Sequence, residues 1–428
     1  INMKLLVLTT SQPKKNTARR IFVNELVSEL SKINPIKIIW VICQPNKFSR
    51  EEDDFESICG INEFKHGLDL VKQLNPDIIL VNSSKEILQY SVSIAASFLK
   101  IPLIGFSVSK FTSQSNLESI KYNTINHFFS NKVPTDDETQ KKFLRRGRFM
   151  IYKLLFSLKT QFAIKLPWNK IFKNTVNDLS KYFFNKPLQK NELIDLHLLQ
   201  QPSQMTSYEN DGIPKNKLIV IGSILMDKIY EKCLKHNYNL TTFSQKKILI
   251  LTDSLFEHGL WTSKQRYVFL KTLFRLLNNI SGLQFSIKIH PSNENIDFYK
   301  NLLDELQIKT HIFQSEDLWE IIKDYNLIIS YGISTTHTEI ACSTKKMILL
   351  NDETNLPYFP LIPEAMSTGC IEYCNNIENL SSMIDEFLAK EIIISEKFKK
   401  KRNELFYKLD GKSAERGSNA ISSLLKDL

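Results

Sequence analysis

The chain has 428 residues, enough for two or three domains, and its 42% hydrophobic content and mean hydropathy of -0.21 are ordinary for a soluble globular protein. No run of about 18 uncharged apolar residues occurs, so the sequence predicts no transmembrane helix. The net charge of +10 is local, because ten Lys or Arg and no Asp or Glu lie between Lys141 and Lys173.

Strand-like and helix-like patterns alternate in the first third of the chain. The predicted strands are 4–9, 37–43, 77–82 and 102–107. The predicted helices include 16–32 and 86–99. This alternation predicts a parallel sheet with helices on both faces. The N-terminal run resembles a first core strand and not a signal peptide, because its apolar stretch is short and has no small-residue cleavage site. Regular structure breaks around 131–138 and resumes near 192–199 and 217–222.

A second alternating series begins at residue 247. Its predicted strands are 247–252, 285–290, 310–313, 326–330 and 346–350. Its predicted helices include 264–278, 296–306, 317–324 and 335–343. A Lys-rich helical stretch, 393–427, closes the chain. Two separate series predict two doubly wound α/β domains that face a cleft.

The predicted organisation has four parts. They are an N-terminal Rossmann-like domain over 1–135, a basic segment with a return to that domain over 136–215, a C-terminal Rossmann-like domain over 216–392, and closing helices over 393–428 that pack back. Neither half contains GxGxxG or a P-loop, so the usual dinucleotide and ATP fingerprints are missing.

The stretch Phe285–Tyr299 contains the first candidate site residue. Its apolar strand ends at His290, and Pro291 prevents further sheet pairing. Parallel sheets bind ligands at the carboxyl ends of their strands, where a histidine can donate a hydrogen bond to a phosphate or a leaving oxygen. His290 is therefore a candidate catalytic and phosphate-binding residue with Pro291 beside it. A strand-ending histidine with a structural role is the alternative.

The segment Asn326–Ser343 repeats this arrangement on another strand. A buried strand runs into a glycine, a Ser-Thr-Thr run opens a helix, and a glutamate follows one turn later. Hydroxyl groups and free N–H groups at a helix start can hold an anion, and the glutamate can accept hydrogen bonds from a ribose. An ordinary N-cap is the alternative. The candidate nucleotide-binding residues here are Gly332, Ser334, Thr335, Thr336 and Glu339.

Two other strand ends carry polar residues. The strand in 248–261 ends in an acidic loop, where Glu257 is the candidate general base for an acceptor hydroxyl, with a solvated loop as the alternative. Gly222 and Ser223 follow a strand at the predicted crossover between domains, where they either touch the nucleotide or form a plain linker.

The six cysteines show neither a CxxC pair nor zinc spacing, and no convincing DxD motif occurs, so no metal is expected.

The basic segment 141–173 combines charge with an apolar pattern. Its apolar residues follow helical spacing, Trp168 and Phe172 come after them, and Lys and Arg fill much of the remainder. Such a helix fits an anionic membrane surface, where each cation contributes about 1 kcal/mol. The alternatives are a core-packed helix with a solvated basic face, and a nucleic-acid surface, which no recognisable RNA or DNA fold accompanies.

Three short motifs carry a resemblance to a known family. In order, FEHG (256–259), KIHP (288–291) and SYGISTTHTE (330–339) resemble the acidic, HP and Ser/Thr motifs of bacterial sialyltransferases, polysialyltransferases and capsule or lipooligosaccharide transferases with the GT-B architecture. The resemblance implies that Glu257 is the base and that His290 and the Ser/Thr hydroxyls bind the phosphate of a CMP-linked donor. His258 departs from the pattern, since the family has a second acid there.

The sequence therefore predicts a metal-independent inverting glycosyltransferase without a cofactor. It would move a sugar, such as a sialic-acid-like or Kdo-like residue from a CMP donor, onto a surface glycan or lipid-linked acceptor. The expected location is the cytoplasm, on the inner face of the cell membrane, with no nucleic-acid partner. The alternatives are a polyol-phosphate transferase, a UDP-sugar 2-epimerase on the same fold, and a non-catalytic nucleotide-sugar-binding protein.

Overall fold

The protein divides into two compact units in a computed structural model. The structure describes residues 3–10, 12–13, 17–44, 50–106, 137–184, 189–236, 246–257, 261–290, 294–332, 335–343, 345–350, 369–390 and 395–426. Of these, the first unit holds the residues before 107, those from 137 to 225 and those from 410, and the second holds those from 226 to 409.

The first unit is built on an eight-stranded sheet. Its strands are β1 (Met3–Thr9), β2 (Ile36–Ile42), β3 (Glu51–Glu52), β4 (Glu56–Gly60), β5 (Ile78–Asn82), β6 (Leu103–Phe106), β7 (Leu196–Leu199) and β8 (Leu218–Val220). The spatial order is β3-β4-β2-β1-β5-β6-β7-β8, and only the short β3 runs antiparallel to its neighbour. Strands β1, β5 and β6 are apolar over most of their length because both faces of this parallel sheet are covered.

Helices of the first unit lie along the chain between these strands. They are α1 (Ala18–Leu30), α2 (Gly67–Leu74), α3 (Ile87–Phe98), α4 (Asp137–Ala163), α5 (Trp168–Phe184), α6 (Ser203–Asn210) and, after the second unit, α14 (Ser413–Lys426). One core forms around Leu6, Val41 and Ile79, and the other around Leu5, Trp40 and Ile104. The alternation of these residues along β1 shows that the two faces of the sheet each bury a core.

The second unit contains a six-stranded sheet in which every described pairing is parallel. Its strands are β9 (Lys246–Leu251), β10 (Leu283–Lys288), β11 (Ile312–Phe313), β12 (Leu327–Tyr331), β13 (Lys346–Leu350) and β14 (Ile371–Cys374). The spatial order is β11-β10-β9-β12-β13-β14. Ile248, Ile287 and Ile329 come from three neighbouring strands and are fully buried in one core cluster.

Helices cover this sheet as well. They are α7 (Ile224–His236), which begins at the end of the first unit, α8 (Ser263–Asn278), α9 (Ile296–Glu305), α10 (Leu318–Ile321), α11 (Thr335–Cys342), α12 (Leu380–Ala389) and α13 (Glu396–Phe406). Local signals set several starts. The Thr262 side chain accepts a hydrogen bond from the backbone N–H of Gln265, and the Gln265 side chain accepts one from the backbone N–H of Thr262. The Asn295 side chain accepts one from the backbone N–H of Asp297.

The predicted fold class, two doubly wound α/β domains, is confirmed. The boundary near residue 216 differs, because β8 pairs with β7 in the first sheet and the second unit begins at Met226. The closing stretch forms α13 in the second unit and α14 in the first. Among the described residues, none of the helices is both long and apolar enough to cross a membrane.

Candidate active site

The candidate site lies at the carboxyl edge of the second sheet. From β9 the chain builds outward through β10 and β11 on one side, and then returns to place β12 on the other side of β9. Doubly wound sheets bind ligands at such a switch point, outside the carboxyl ends of the strands. His290 follows β10, Asp253 follows β9 and Gly332 follows β12, so strand order brings these three positions to one edge.

Gly332 leaves space that the Asp253 side chain fills. Its φ of +79° lies in the left-handed region, which glycine adopts without strain. A Cβ atom built on Gly332 would stand 2.3 Å from Oδ2 of Asp253, closer than any real contact. The turn after β12 therefore requires glycine both for its backbone conformation and for the carboxyl group beside it.

Glu294 joins the ends of β9 and β10. Its carboxylate accepts a hydrogen bond from the backbone N–H of His290 at 2.6 Å, and others from the hydroxyl groups of Thr252 and Tyr299. Glu294 is only 5% exposed, and a buried carboxylate is stable only when such donors surround it. Glu294 thus holds the backbone at His290 in place. Sequence reasoning missed it, although an acid directly before the helix-capping Asn295 was a usable signal.

Lys288, the single charged residue in the apolar β10 strand, has a structural role. Its ammonium group donates hydrogen bonds to the backbone oxygen of Gln314 at 2.7 Å and to that of Ile289 at 3.3 Å. Burial lowers the pKa of Lys288. The side chain therefore ties the end of β10 to the segment after β11, next to His290.

Glu257, the candidate base, is held in an ion pair. Nη1 of Arg266 lies 2.9 Å from Oε1 of Glu257, and Arg266 is buried. The guanidinium group also lies over the rings of Phe298, at 3.7 Å from the centroid, and Phe256, at 4.2 Å. A carboxylate that neutralises a buried guanidinium stabilises the loop after β9, whether or not it also accepts a proton from a substrate.

Helix α11 begins shortly after β12 and carries two titratable groups, the buried His337 and the half-buried Glu339. Nε2 of His337 lies 3.0 Å from the hydroxyl oxygen of Ser330, and burial lowers the pKa of His337 to about 4. Oε2 of Glu339 accepts a hydrogen bond from the indole N–H of Trp319 at 3.2 Å. Burial raises the pKa of Glu339 to about 7, so this carboxyl group changes its charge near neutral pH.

The remaining predicted site residues divide by location. Thr336 is half-buried in α11, while Thr335 is described only as the first residue of that helix. Gly222 and Ser223 belong to the first unit, directly after β8, where Gly222 has a φ of +91° and Ser223 is buried. Pro291 and Ser334 lie outside the described residues, as does His258 of the FEHG motif.

Comparisons with known proteins define the fold. No protein-family model matches the chain. No curated protein matches it either. Among solved structures, the UDP-GlcNAc 2-epimerase of Neisseria meningitidis bound to UDP-GlcNAc is similar, with a TM-score of 0.55, 16% identity, and coverage of 99% of this chain and 100% of that one.

Two other solved structures give the same result. The UDP-GlcNAc 2-epimerase of Methanocaldococcus jannaschii in complex with UDP-GlcNAc and UDP is similar with a TM-score of 0.55 and 14% identity, over 99% of this chain and 100% of that one. A structure described as the glycotransferase of kitacinnamycin is similar with a TM-score of 0.51 and 12% identity, over 99% and 98%. At these identities the likeness shows the fold alone, which is GT-B-like, with two Rossmann-like units.

Proposed function

We propose that this protein is an enzyme acting on a UDP-linked amino sugar, and that it inverts carbon 2 of UDP-N-acetylglucosamine or a close analogue. The observation that carries the proposal is the match over nearly the whole chain to UDP-GlcNAc 2-epimerases, one of which was solved with UDP-GlcNAc and UDP bound. These similarities favour the UDP-sugar 2-epimerase alternative over the glycosyltransferase that the sequence predicts.

The second unit supports the proposal with a set of groups suited to a nucleoside diphosphate. His290 and the start of α11 lie at the ends of nearby strands of one sheet, and both can donate hydrogen bonds to phosphate oxygens. Glu339 in α11 can accept hydrogen bonds from ribose hydroxyls in its ionised form. Inversion at carbon 2 through loss of the nucleotide breaks the bond from carbon 1 to the diphosphate, so donors to that phosphate would stabilise the leaving group.

A glycosyltransferase is the second candidate. Two observations favour it, namely the order of the FEHG, KIHP and Ser/Thr motifs and the similarity to the glycotransferase of kitacinnamycin. In that case the same phosphate donors would act, a CMP-linked or other nucleotide sugar would be the donor, and Glu257 would be the base toward a glycan or lipid-linked acceptor. Epimerisation needs no such acceptor, and this difference separates the two candidates experimentally.

The deciding experiment is incubation of the purified protein with UDP-N-acetylglucosamine in D2O, followed by proton NMR. An epimerase that removes and returns the proton at carbon 2 replaces it with deuterium and produces the epimer, without any acceptor. Thermal unfolding with UDP, CMP and CDP runs in parallel, because a ligand that binds only the folded state raises its stability. Stabilisation by CMP alone, with no deuterium exchange, would reject the epimerase and return the transferase to first place.

The predicted cytoplasmic location on the inner membrane face stays a prediction. It does not depend on the reaction at the second sheet, because the basic segment lies in the first unit, on α4 and α5.

A further inference from the structure

Exposed apolar side chains concentrate on helices α4 and α5. Of the ten large hydrophobic side chains exposed in the described part of the chain, six belong to these helices, which is too dense a grouping for scattered surface residues. These six form what we call the α4–α5 surface: Ile151, Leu155, Phe162, Trp168, Phe172 and Val176. Trp168 and Phe172 are 75% and 72% exposed. The Phe162 and Trp168 rings meet edge to face, with centroids 5.2 Å apart, so the surface continues across the turn between the helices.

The α4–α5 surface is separate from the face that holds α4 in the fold. Phe156 and Ile164 are buried in the core of the first unit, and the Thr160 hydroxyl accepts a hydrogen bond from the backbone N–H of Gly67 at 2.8 Å. At helical spacing, Ile151 and Leu155 project from the opposite side of α4. The apolar pattern predicted for this segment therefore serves two purposes, because one part of it forms core and another part is exposed.

Basic side chains surround the exposed rings. The exposed cations on these helices and the turn between them are Arg148, Lys159, Lys165, Lys170 and Lys173, and none of the five has an ion-pair partner among the described residues. Lys153, in contrast, pairs with Glu86 and contributes no free charge. The sequence from 141 to 173 contains no acid, so the surface combines exposed apolar groups with positive charge only.

We propose that the α4–α5 surface docks the protein onto a membrane rich in anionic lipid. Aromatic and aliphatic side chains would enter the headgroup boundary, while the lysines and the arginine contact lipid phosphates. A second copy of the chain placed on this surface by two-fold symmetry would oppose cations to cations with no acid between them. A nucleic acid would neutralise the cations but leave Ile151, Leu155 and Val176 in water, so an anionic lipid surface suits both features best.

Vesicle co-sedimentation tests the proposal with the full-length protein. Binding should occur to vesicles of phosphatidylcholine mixed with phosphatidylglycerol, should be weak on phosphatidylcholine alone, and should decrease at about 0.5 M salt, where charges are screened within a few ångströms. No binding to the mixed vesicles, or equal binding to both kinds, would overturn the proposal.

Paired variants show whether this surface is the one that binds. Trp168→Ser with Phe172→Ser should reduce partitioning about tenfold or more, because binding strength follows the apolar area inserted. The matched control is Phe55→Ser with Phe98→Ser, which removes two exposed rings from the same unit and should leave partitioning unchanged. Equal losses in the two double variants would contradict the assignment.

Charge variants test the lipid phosphates. Lys170→Glu with Lys173→Glu should weaken partitioning at least about 25-fold, since each lost cation removes roughly fivefold and each new carboxylate is repelled by the lipid phosphates. The control, Lys72→Glu with Lys215→Glu, makes the same change at exposed positions elsewhere in the first unit. Light scattering of each variant without vesicles measures its oligomeric state. A change from dimer to monomer in the Trp168 and Phe172 variant, with no vesicle binding by the wild type, would assign the surface to self-association instead.

Discussion

Glu257 and Arg266 form a largely buried ion pair, 2.9 Å from carboxylate oxygen to guanidinium nitrogen. Arg266 also contacts the rings of Phe256 and Phe298, so the pair connects the loop after β9 to two helices, α8 and α9. Glu257, the candidate general base, therefore also has a structural role, and experiments on it must separate these two roles.

Breaking the pair should destabilise the protein. Glu257→Gln and Arg266→Met each leave one charged group without its counter-ion, and each should cost about 3 kcal/mol of unfolding free energy. The double variant should lose less than the sum of the single losses, because no isolated charge remains. Urea unfolding of all four proteins measures this coupling. Additive losses would show that the two side chains do not depend on each other.

Activity measurements then separate the roles of Glu257. If its function is structural, Glu257→Gln and Arg266→Met lower turnover to a similar extent, and the loss of turnover in both is smaller at low temperature. If Glu257 is the base, Glu257→Gln loses turnover by orders of magnitude more than Arg266→Met, with little change in nucleotide binding.

Glu294→Gln should weaken both stability and nucleotide binding. An amide has a single acceptor oxygen, so it cannot accept from the His290 N–H, Thr252 and Tyr299 together, and lost hydrogen bonds to a charged acceptor cost about 2 kcal/mol each. We expect a lower unfolding midpoint and a higher Kd for UDP, measured by calorimetry. Asp304→Asn, on the exposed side of α9, is the matched control and should change neither quantity. Unchanged UDP affinity in a folded Glu294→Gln protein would mean that His290 needs no such support.

Apolar periodicity predicted the two sheets well, because apolar runs such as those of β1 and β12, set between helical patterns, indicate buried strands of a parallel sheet. Strand β4, with the sequence ESICG, and strand β14, with IEYC, were missed. Each carries a glutamate and has fewer Val, Ile and Leu residues than the predicted strands, and β14 lies at the edge of its sheet, so local sequence carries little strand signal there. Their pairing depends on neighbours distant in the chain.

The site was predictable only in part for a related reason. His290 and Gly332 stand directly at strand ends, which a local pattern reveals. Their partners come from elsewhere, as Thr252 is 42 residues from Glu294 and Trp319 is 20 residues from Glu339. These contacts depend on the spatial order β10-β9-β12, which differs from the order of the strands in the sequence.

Gly105→Ala should destabilise the first unit. Gly105 in β6 lies opposite His197 in β7, and a Cβ atom there would stand 2.7 Å from Nδ1 of His197 and 2.8 Å from Cδ1 of Ile194. Both neighbours are fully buried, so relieving the overlap should cost about 2 kcal/mol. In the His197→Ala protein, Gly105→Ala should cost less unfolding free energy than in the wild type, because the ring that the new Cβ atom meets is gone. Chemical unfolding measures the stability of all three variants. An unchanged free energy of unfolding in Gly105→Ala would show that β6 and β7 can move apart without loss of stability.

Glu339 should make both stability and nucleotide binding depend on pH near neutrality. Its pKa is about 7 in the folded protein, against an ordinary value of 4.5, because burial disfavours the charge. Between these values the folded state holds a proton that the unfolded state has released, so the contribution of Glu339 to stability falls as pH rises from about 4.5 to about 7. Glu339→Gln removes this slope. Its stability relative to the wild type should therefore increase from about pH 5 to about pH 8 in urea unfolding.

Binding should respond in the opposite direction, provided that a ribose lies against Glu339 as proposed. Only the ionised carboxylate accepts hydrogen bonds from both ribose hydroxyls, so the Kd of the wild type for UDP should fall as pH rises through about 7. The Glu339→Gln protein should bind UDP more weakly and without that pH dependence, whereas Glu378→Gln, an exposed control in the same unit, should behave like the wild type. A pH dependence of UDP binding that persists in Glu339→Gln would place the titrating group elsewhere. In that case the stability slope would still report on the Glu339 carboxyl group, because it does not require the ligand.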